Sequence, residues 1–224
     1  ITHCLHLGDI MDRRKFVSYR TAKNFRERFI KPFSDLGIQL HILVGNHDTY
    51  FKNTNEVNSI TELIGTRYDN VHIYPEAKEI ELDGLPVMLV PWINASNHAK
   101  TMSAMDKSKA DILMGHLEVQ GFEMIKGVHC ENGYAKDLFR KFDTVFSGHF
   151  HIKSDDGHIY YLGNPYEIYW NDCGDKKGFH IFDTETRQLD RIVNPLTIYK
   201  KIYYDDITTN YKDHDITQYK DNYV

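Results

Sequence analysis

The residues best suited to chemistry fall in four short clusters: Gly8-Asp9-Ile10-Met11-Asp12, Gly45-Asn46-His47-Asp48, Gly115-His116 and Gly148-His149-Phe150-His151. Together they offer carboxylate, amide oxygen and imidazole, with no thiolate. Such a mixed set suits borderline ions such as Mn²⁺, Fe²⁺ or Zn²⁺ better than an all-oxygen Mg²⁺ cage. A carboxylate can bridge two ions about 3.5–4 Å apart, an arrangement that activates water and clamps both oxygens of an in-line phosphoryl displacement. An imidazole not used as a ligand can give or take a proton near neutral pH. Singly the clusters say little, since Asn and Asp after glycine make ordinary turns. In Gly148–His151 the two histidines alternate along an extended segment and so face one side.

What unites the clusters is the element before each. Residues 3–8 read as a short buried strand, Ile38–Val44 as a second, Asp111–Met114 as a third and Thr144–Ser147 as a fourth, and a cluster follows each one directly. In open α/β sheets ligands bind beyond the carboxyl ends of the strands, so segments far apart in sequence can share one site. Between the strands, Ala22, Phe25, Phe29, Phe33 and Leu36 repeat at helical spacing from Ser18 to Leu36, with Gly37 as a stop. A second helix is expected over Val57 to Ile64 and a third over 98–109, with a loop at 49–56. Strands are expected at 71–74, 78–82 and 85–90, the last two joined by Asp83-Gly84, and later at 158–162, 178–183 and 188–193. The pattern predicts an α/β layered sandwich of two central mixed β-sheets flanked by helices.

Composition sets the outer bounds. The chain has 224 residues, is 41% hydrophobic and 26% charged, and carries 13 histidines and three cysteines. No apolar run approaches the ~18 residues of a membrane helix, and no basic-then-apolar leader opens the sequence, so no membrane association is expected. Cys4, Cys130 and Cys173 share no paired spacing, which argues against a disulfide framework or a thiolate zinc site and for a reducing cytoplasm (the host's, for a viral protein). The net charge of −5 is unfavourable for a nucleic-acid enzyme unless bound metals, a local basic patch or a basic partner supply positive charge.

In that order and context the clusters resemble motifs two to five of the calcineurin-like metallophosphoesterases. LHILVGNHD (40–48), VPW (90–92), SGHFH (147–151), YLGNP (161–165) and KGFHIFDTET (177–186) further resemble the SbcD-type double-strand-break nucleases, nearest the nuclease subunits of T-even phage recombination endonucleases. The similarity runs from residue 1 to about 200. It implies a two-metal DNA exo/endonuclease of recombination and double-strand-break processing, working with an SMC-like ATPase of the SbcC type and as a homodimer. Mn²⁺ is the expected ion, with Fe²⁺, Mg²⁺ and Zn²⁺ as alternatives. By position, Asp9 matches the carboxylate bridging two ions, and Asn46, His116 and His149 match the remaining ligands of one ion. His151 matches a ligand of the other, and His47 the non-ligand histidine that stabilises the transition state or protonates the leaving oxygen. We further expect Asp48 to hold the His47 tautomer, while the role of Asp12 stays open.

The family's first motif, a strand followed by Asp-x-His, has no counterpart before Asp9; His3 and His6 lack the preceding aspartate, and His6 reads as a strand residue packed under the sheet. Residues 1–196 are therefore expected to form a phosphoesterase domain lacking its first strand and motif, with low nuclease activity, and residues 197–224 to begin a capping region cut short. Arg13, Arg14 and Lys15, with Tyr50, Phe51 and Lys52, are candidates for contacts to DNA beside the metals, though solvated charge and local packing explain them nearly as well. His129-Cys130 reads as structural, and Trp92 and Trp170 could be core or surface. Two rival functions remain. A general phosphatase or phosphodiesterase is separated by comparing duplex DNA with an aryl phosphodiester. A non-catalytic scaffold of the same fold is separated by metal content.

Overall fold

The computed structural model describes residues 1–65, 67–205, 207–208, 211–212 and 214–224. Strands β1 (His3–His6), β2 (Gln39–Leu43) and β3 (Val71–Tyr74) form a parallel three-stranded sheet in that order. Strands β4 (Lys78–Leu82) and β5 (Leu85–Val90) form a hairpin, followed in sequence by β6 (Ile112–Gly115), the small hairpin of β7 (Glu123–Ile125) and β8 (Val128–His129), and β9 (Thr144–Ser147). With β10 (Ser154–Asp155) and β11 (Ile159–Tyr161) the larger sheet has the order β10-β11-β9-β6-β5-β4. It is parallel from β11 to β5 and antiparallel at both edges. A last hairpin, β12 (Gly178–Phe182) with β13 (Leu189–Val193), packs Phe182 and Leu189 against the core.

Alternation along each strand builds the layers. Leu43, Tyr74, Val87, Leu89, Ile112, Met114 and Phe146 meet between the two sheets. Their neighbours Leu40, Ile42 and Val44 turn outward under the first helical run. Met88, Val90, Leu113 and Val145 turn to the other side, beneath Met105 and the aromatic cluster of Phe122, Phe139, Phe142 and Tyr161. The expected sandwich is present, with helices outside both sheets.

The Ser18–Leu36 helix forms as one run with a change of pitch. Ser18 caps it by accepting the Thr21 N–H at 3.0 Å. Helix α1 (Tyr19–Phe25) passes through a π-helical turn (Arg26–Ile30) into α2 (Lys31–Asp35). The wide turn runs directly into Pro32, which has no N–H to donate to Arg28 and whose ring would press on that carbonyl in an α-helix. Two shorter helices follow, α3 (Ser59–Ile64), capped by Asn58, and α4 (His98–Lys107). The strands at 71–74, 78–82, 85–90 and 144–147 lie where periodicity places them. Strands β7, β8 and β10, of two or three residues, are too short to show a period.

At the end of the inter-sheet layer away from the clusters, three histidines cross the small sheet. His3 Nδ1 lies 3.0 Å from His41 Nε2, His41 Nδ1 lies 2.8 Å from the Tyr74 hydroxyl, and the His41 and His72 rings stack at 4.9 Å. Burial, then the charges of His72 and His3, push His41 down to about 4. A histidine held neutral by the fold contributes stability that is complete above the unfolded value of about 6.5 and is lost as pH falls toward 4. The unfolding free energy of the wild type, measured in urea, should therefore drop between pH 7.5 and 4.5 by about 2–3 kcal/mol more than that of His41→Gln. Parallel pH dependence of the two proteins would contradict this.

Candidate metal centre

All four clusters lie at the carboxyl ends of parallel strands, two on each sheet, along one edge of the sandwich. Asp48 binds the first two loops together from below. Fully buried, it accepts the N–H groups of Asp9 and Gly45 on Oδ2, each at 2.8 Å, and that of Met11 on Oδ1 at 3.0 Å. Burial and the Asp9 charge push Asp48 up to about 6, while the N–H groups of Gly45 and Met11 pull it back. The carboxylate thus stays ionised at neutral pH. The loops touch so closely that a Cβ on Gly45 would stand 2.3 Å from both Asp9 N and Asp9 Oδ1. Asp9 itself has a left-handed backbone, φ 57°, as does His149, φ 75°, a conformation that costs a non-glycine residue energy and concentrates at functional sites.

The partner expected for His47 is corrected here. Asp48 spends its oxygens on backbone N–H groups, and His47 Nδ1 lies instead 2.8 Å from the Asp12 carbonyl. A carbonyl only accepts, so Nδ1 carries the proton and Nε2 is left for other chemistry. Asp12 thereby gains a role through its main chain, and its carboxylate accepts the Tyr169 hydroxyl at 3.1 Å.

His116 is the point of convergence. Its Nδ1 donates to the Leu7 carbonyl at 2.7 Å, across the junction of the two sheets. Its Nε2 then presents a lone pair, and around it stand Asn46 Oδ1 at 2.9 Å, His149 Nδ1 at 3.1 Å and Asp9 Oδ2 at 3.2 Å. Two oxygens and an imidazole nitrogen crowded on Nε2 favour positive charge among them, a proton or a metal ion. The ligand atoms of Asp9, His116 and His149 all lie within 4.8 Å of one another. Burial would depress His116, but the charge and hydrogen bond of Asp9 outweigh it and raise its pKa. Burial likewise opposes Asp9, yet His116 holds that carboxyl well below its ordinary range. Burial, then His116, push His149 down to about 3, so it offers a bare lone pair at neutral pH. The pocket favours positive charge, and its donor set fits a borderline divalent ion.

His151 stands apart from this group. Its ring stacks on Tyr169 at 5.8 Å and 7°, and its carbonyl accepts Lys177 Nζ at 3.0 Å. Lys177 in turn makes a buried pair with Asp172 at 2.7 Å. Burial is the main cause that lowers the His151 pKa. Tyr169 carried no sequence signal, since its partner Asp12 is distant; Lys177 opens the KGFHIFDTET segment, but nothing in that segment assigned it or Asp172 a role. Trp92 did carry one: it follows β5 as the clusters follow their strands, and its ring lies 5.4 Å from His149. Trp170 packs on Tyr199 at 4.7 Å. His6 lies in β1 with its ring edge-on to Phe29 and its Nδ1 buried without a partner. The two candidate DNA segments adjoin: Arg14 Nη1 donates to Thr49 Oγ1 at 3.1 Å and Lys15 Nζ sits 5.1 Å over the Tyr50 ring. Tyr50 meets Phe51 edge-on, Arg13 lies 3.8 Å from Asp12, and Lys52 is exposed. Residues 206, 209, 210 and 213 of the expected capping region lie outside the described residues. Nearby, Glu167 accepts the N–H groups of Ile198 and Tyr199.

A sandwich with a candidate metal-ligand group at the carboxyl ends of both sheets is the arrangement of a class of phosphoester hydrolases. The chain belongs to the calcineurin-like phosphoesterase family, whose sequence model matches residues 3–153 and so takes in all four clusters. It is 35% identical over 204 residues to exonuclease subunit 1 of Enterobacteria phage T4, covering 91% of this chain and 59% of that protein. It is 25% identical over 187 residues to the SbcD component of the SbcCD nuclease of Staphylococcus epidermidis, covering 69% of this chain and 48% of the relative. The chain thus spans between 48% and 59% of the length of these curated relatives.

Proposed function

We propose that this chain is the phosphodiester-cleaving part of a metal-dependent DNA nuclease acting in recombination and double-strand-break processing. The observation that carries this is the meeting of Asp9, Asn46 and His149 on His116 Nε2. Support for DNA as substrate comes from two relatives named as nuclease subunits and from the cationic and aromatic loops at 13–15 and 50–52 beside the centre.

Asp9, Asn46, His116 and His149 would hold one divalent ion, Mn²⁺ by preference over Fe²⁺, Mg²⁺ or Zn²⁺, with Asp9 shared toward a second ion on the His151 side. A cation there lowers the pKa of water and offsets charge on the phosphate. His47, whose Nδ1–H donates to the Asp12 carbonyl, presents a bare Nε2 that can take up a proton and, so charged, give it to the leaving oxygen. Asp48 keeps Asp9 and the His47 loop in register by fixing their main chains. Arg13, Arg14, Lys15, Tyr50 and Lys52 would hold the DNA backbone and bases. An SMC-like ATPase of the SbcC type and a second copy of the chain are the proposed partners.

Initial rates with Mn²⁺ on labelled DNA and on bis-p-nitrophenyl phosphate test the proposal. We expect slow hydrolysis that favours DNA and disappears in His47→Gln, since one metal-ligand group is assembled among the described residues. Preference for the aryl diester would make the chain a general phosphodiesterase, and failure to bind Mn²⁺ at all would make it a scaffold.

A further inference from the structure

The chain's net charge conceals a strongly polar distribution. Residues 13–35 hold eight basic side chains (Arg13, Arg14, Lys15, Arg20, Lys23, Arg26, Arg28 and Lys31) against the acids Glu27 and Asp35. That stretch has six excess positive charges, so the remainder stands at −11 within a chain of −5. It comprises the loop after Asp12 and the Tyr19–Asp35 helical run. Ala22 and Ile30 are buried against the small sheet, with Phe25, Phe29 and Phe33 packed beside them. Arg20, Lys23, Arg28 and Lys31 lie exposed on the outer side.

A solvated helix face ordinarily mixes both signs, because like charges on successive turns repel. Here Lys23 is 3.7 Å from Glu27 and Lys31 is 2.6 Å from Asp35, whereas Arg20, Arg26 and Arg28 make no ion pair among the described residues. The approach to the helix is aromatic as well as basic. Phe16 is 77% exposed and Tyr19 96%, next to the Lys15–Tyr50 contact, where Tyr50 is 40% and Phe51 50% exposed. Large rings left in water beside unpaired cations cost stability, and together they suit a strand whose phosphates need neutralising and whose unpaired bases offer flat faces.

We infer that this surface is a track for single-stranded polynucleotide: Arg20, Lys23 and Arg28 contact phosphates, and Phe16 and Tyr19 stack on bases at the mouth of the metal centre. The inference rests on the polynucleotide reading of that centre and extends it to a surface some 25 Å long, the span of a 17-residue helix.

Fluorescence anisotropy of a labelled oligodeoxythymidylate, titrated with the whole chain in EDTA, tests the track without calling on hydrolysis. In Arg20→Gln/Lys23→Gln/Arg28→Gln, affinity should fall at least about tenfold and the log Kd–log salt slope should flatten by about 2, three contacts at roughly 0.7 each. Phe16→Ala/Tyr19→Ala should weaken binding about tenfold with the salt slope unchanged, and should weaken duplex binding far less. Glu27→Gln, which removes the acid paired with Lys23, should tighten binding, a gain that no folding defect produces. Mn²⁺-dependent hydrolysis of bis-p-nitrophenyl phosphate should be the same in all three variants. Wild-type affinity and slope in the triple variant, or equal losses on duplex and single strand in the aromatic variant, would overturn the track. Failure of the nuclease proposal would appear separately, as no Mn²⁺-dependent cleavage alongside intact oligonucleotide binding.

Discussion

In His116→Ala, binding of Mn²⁺ measured by calorimetry should weaken by at least about a hundredfold, with any hydrolysis lost along with it. His116 touches three other candidate ligands and both sheets. Its Nε2 is the common neighbour of Asn46, His149 and Asp9, and its Nδ1–H ties the larger sheet to the Leu7 carbonyl on the smaller one. Alanine removes a ligand, leaves a carbonyl at a buried junction without its donor, and strips Asp9 of the group that keeps it ionised. A second consequence is therefore expected in the acid range. Asp9, held low by His116, contributes stability that is present above its ordinary value and is lost only as pH falls well below it. In the variant the carboxyl is no longer held low, so this acid-range loss should be smaller. Unchanged Mn²⁺ affinity in a folded His116→Ala protein would remove this residue from the centre.

Gly45→Ala should be nearly as damaging, although it deletes no ligand. The added carbon would sit 2.3 Å from the main chain and carboxylate of Asp9, and backbone cannot step aside as a flexible side chain can. The two loops must separate, which breaks the shared grip of Asp48 and the 2.7 Å bond from His47 N–H to Asp9 Oδ1. We expect a loss of about 3 kcal/mol in urea unfolding, at the upper end for overpacking, together with weaker Mn²⁺ binding. Gly84→Ala is the control. It lies in the β4–β5 turn with no atom within 4 Å of the added carbon but with φ 86°, so it should cost about 1 kcal/mol and leave metal affinity alone. Equal effects of the two substitutions would show that loop contact at Gly45 does not matter.

Much of this was legible because periodicity and position are local properties. Short apolar runs placed β3, β4, β5 and β9, and a glycine followed by a ligand-type residue at four strand ends pointed to one edge of a sandwich. What was hidden depends on contacts made in three dimensions. Asp48 looked like a partner for its neighbour His47, yet backbone N–H groups from two loops claim its carboxylate, and nothing in GNHD announces them. Tyr169 lies 157 residues from Asp12, whose carboxylate it binds. The overall charge of −5 averaged away a basic helix. The π turn was invisible because Ala22, Phe25, Phe29 and Phe33 suit ordinary helical pitch.

That turn has a further consequence. Arg26–Ile30 makes the helix a run with two phases, in which residues before and after the turn are indexed to the sheet by different counts. Deleting one residue from the α-helical stretch before it, with the wide turn kept, would rotate all that follows by about 100°. Phe33 would swing off the sheet and Lys31 toward it. Length variation in this segment is thus confined more tightly than its exposed, polar surface suggests. A one-residue indel here acts as a screw motion on the outer layer, whereas the same change in the 49–56 loop only alters a contour.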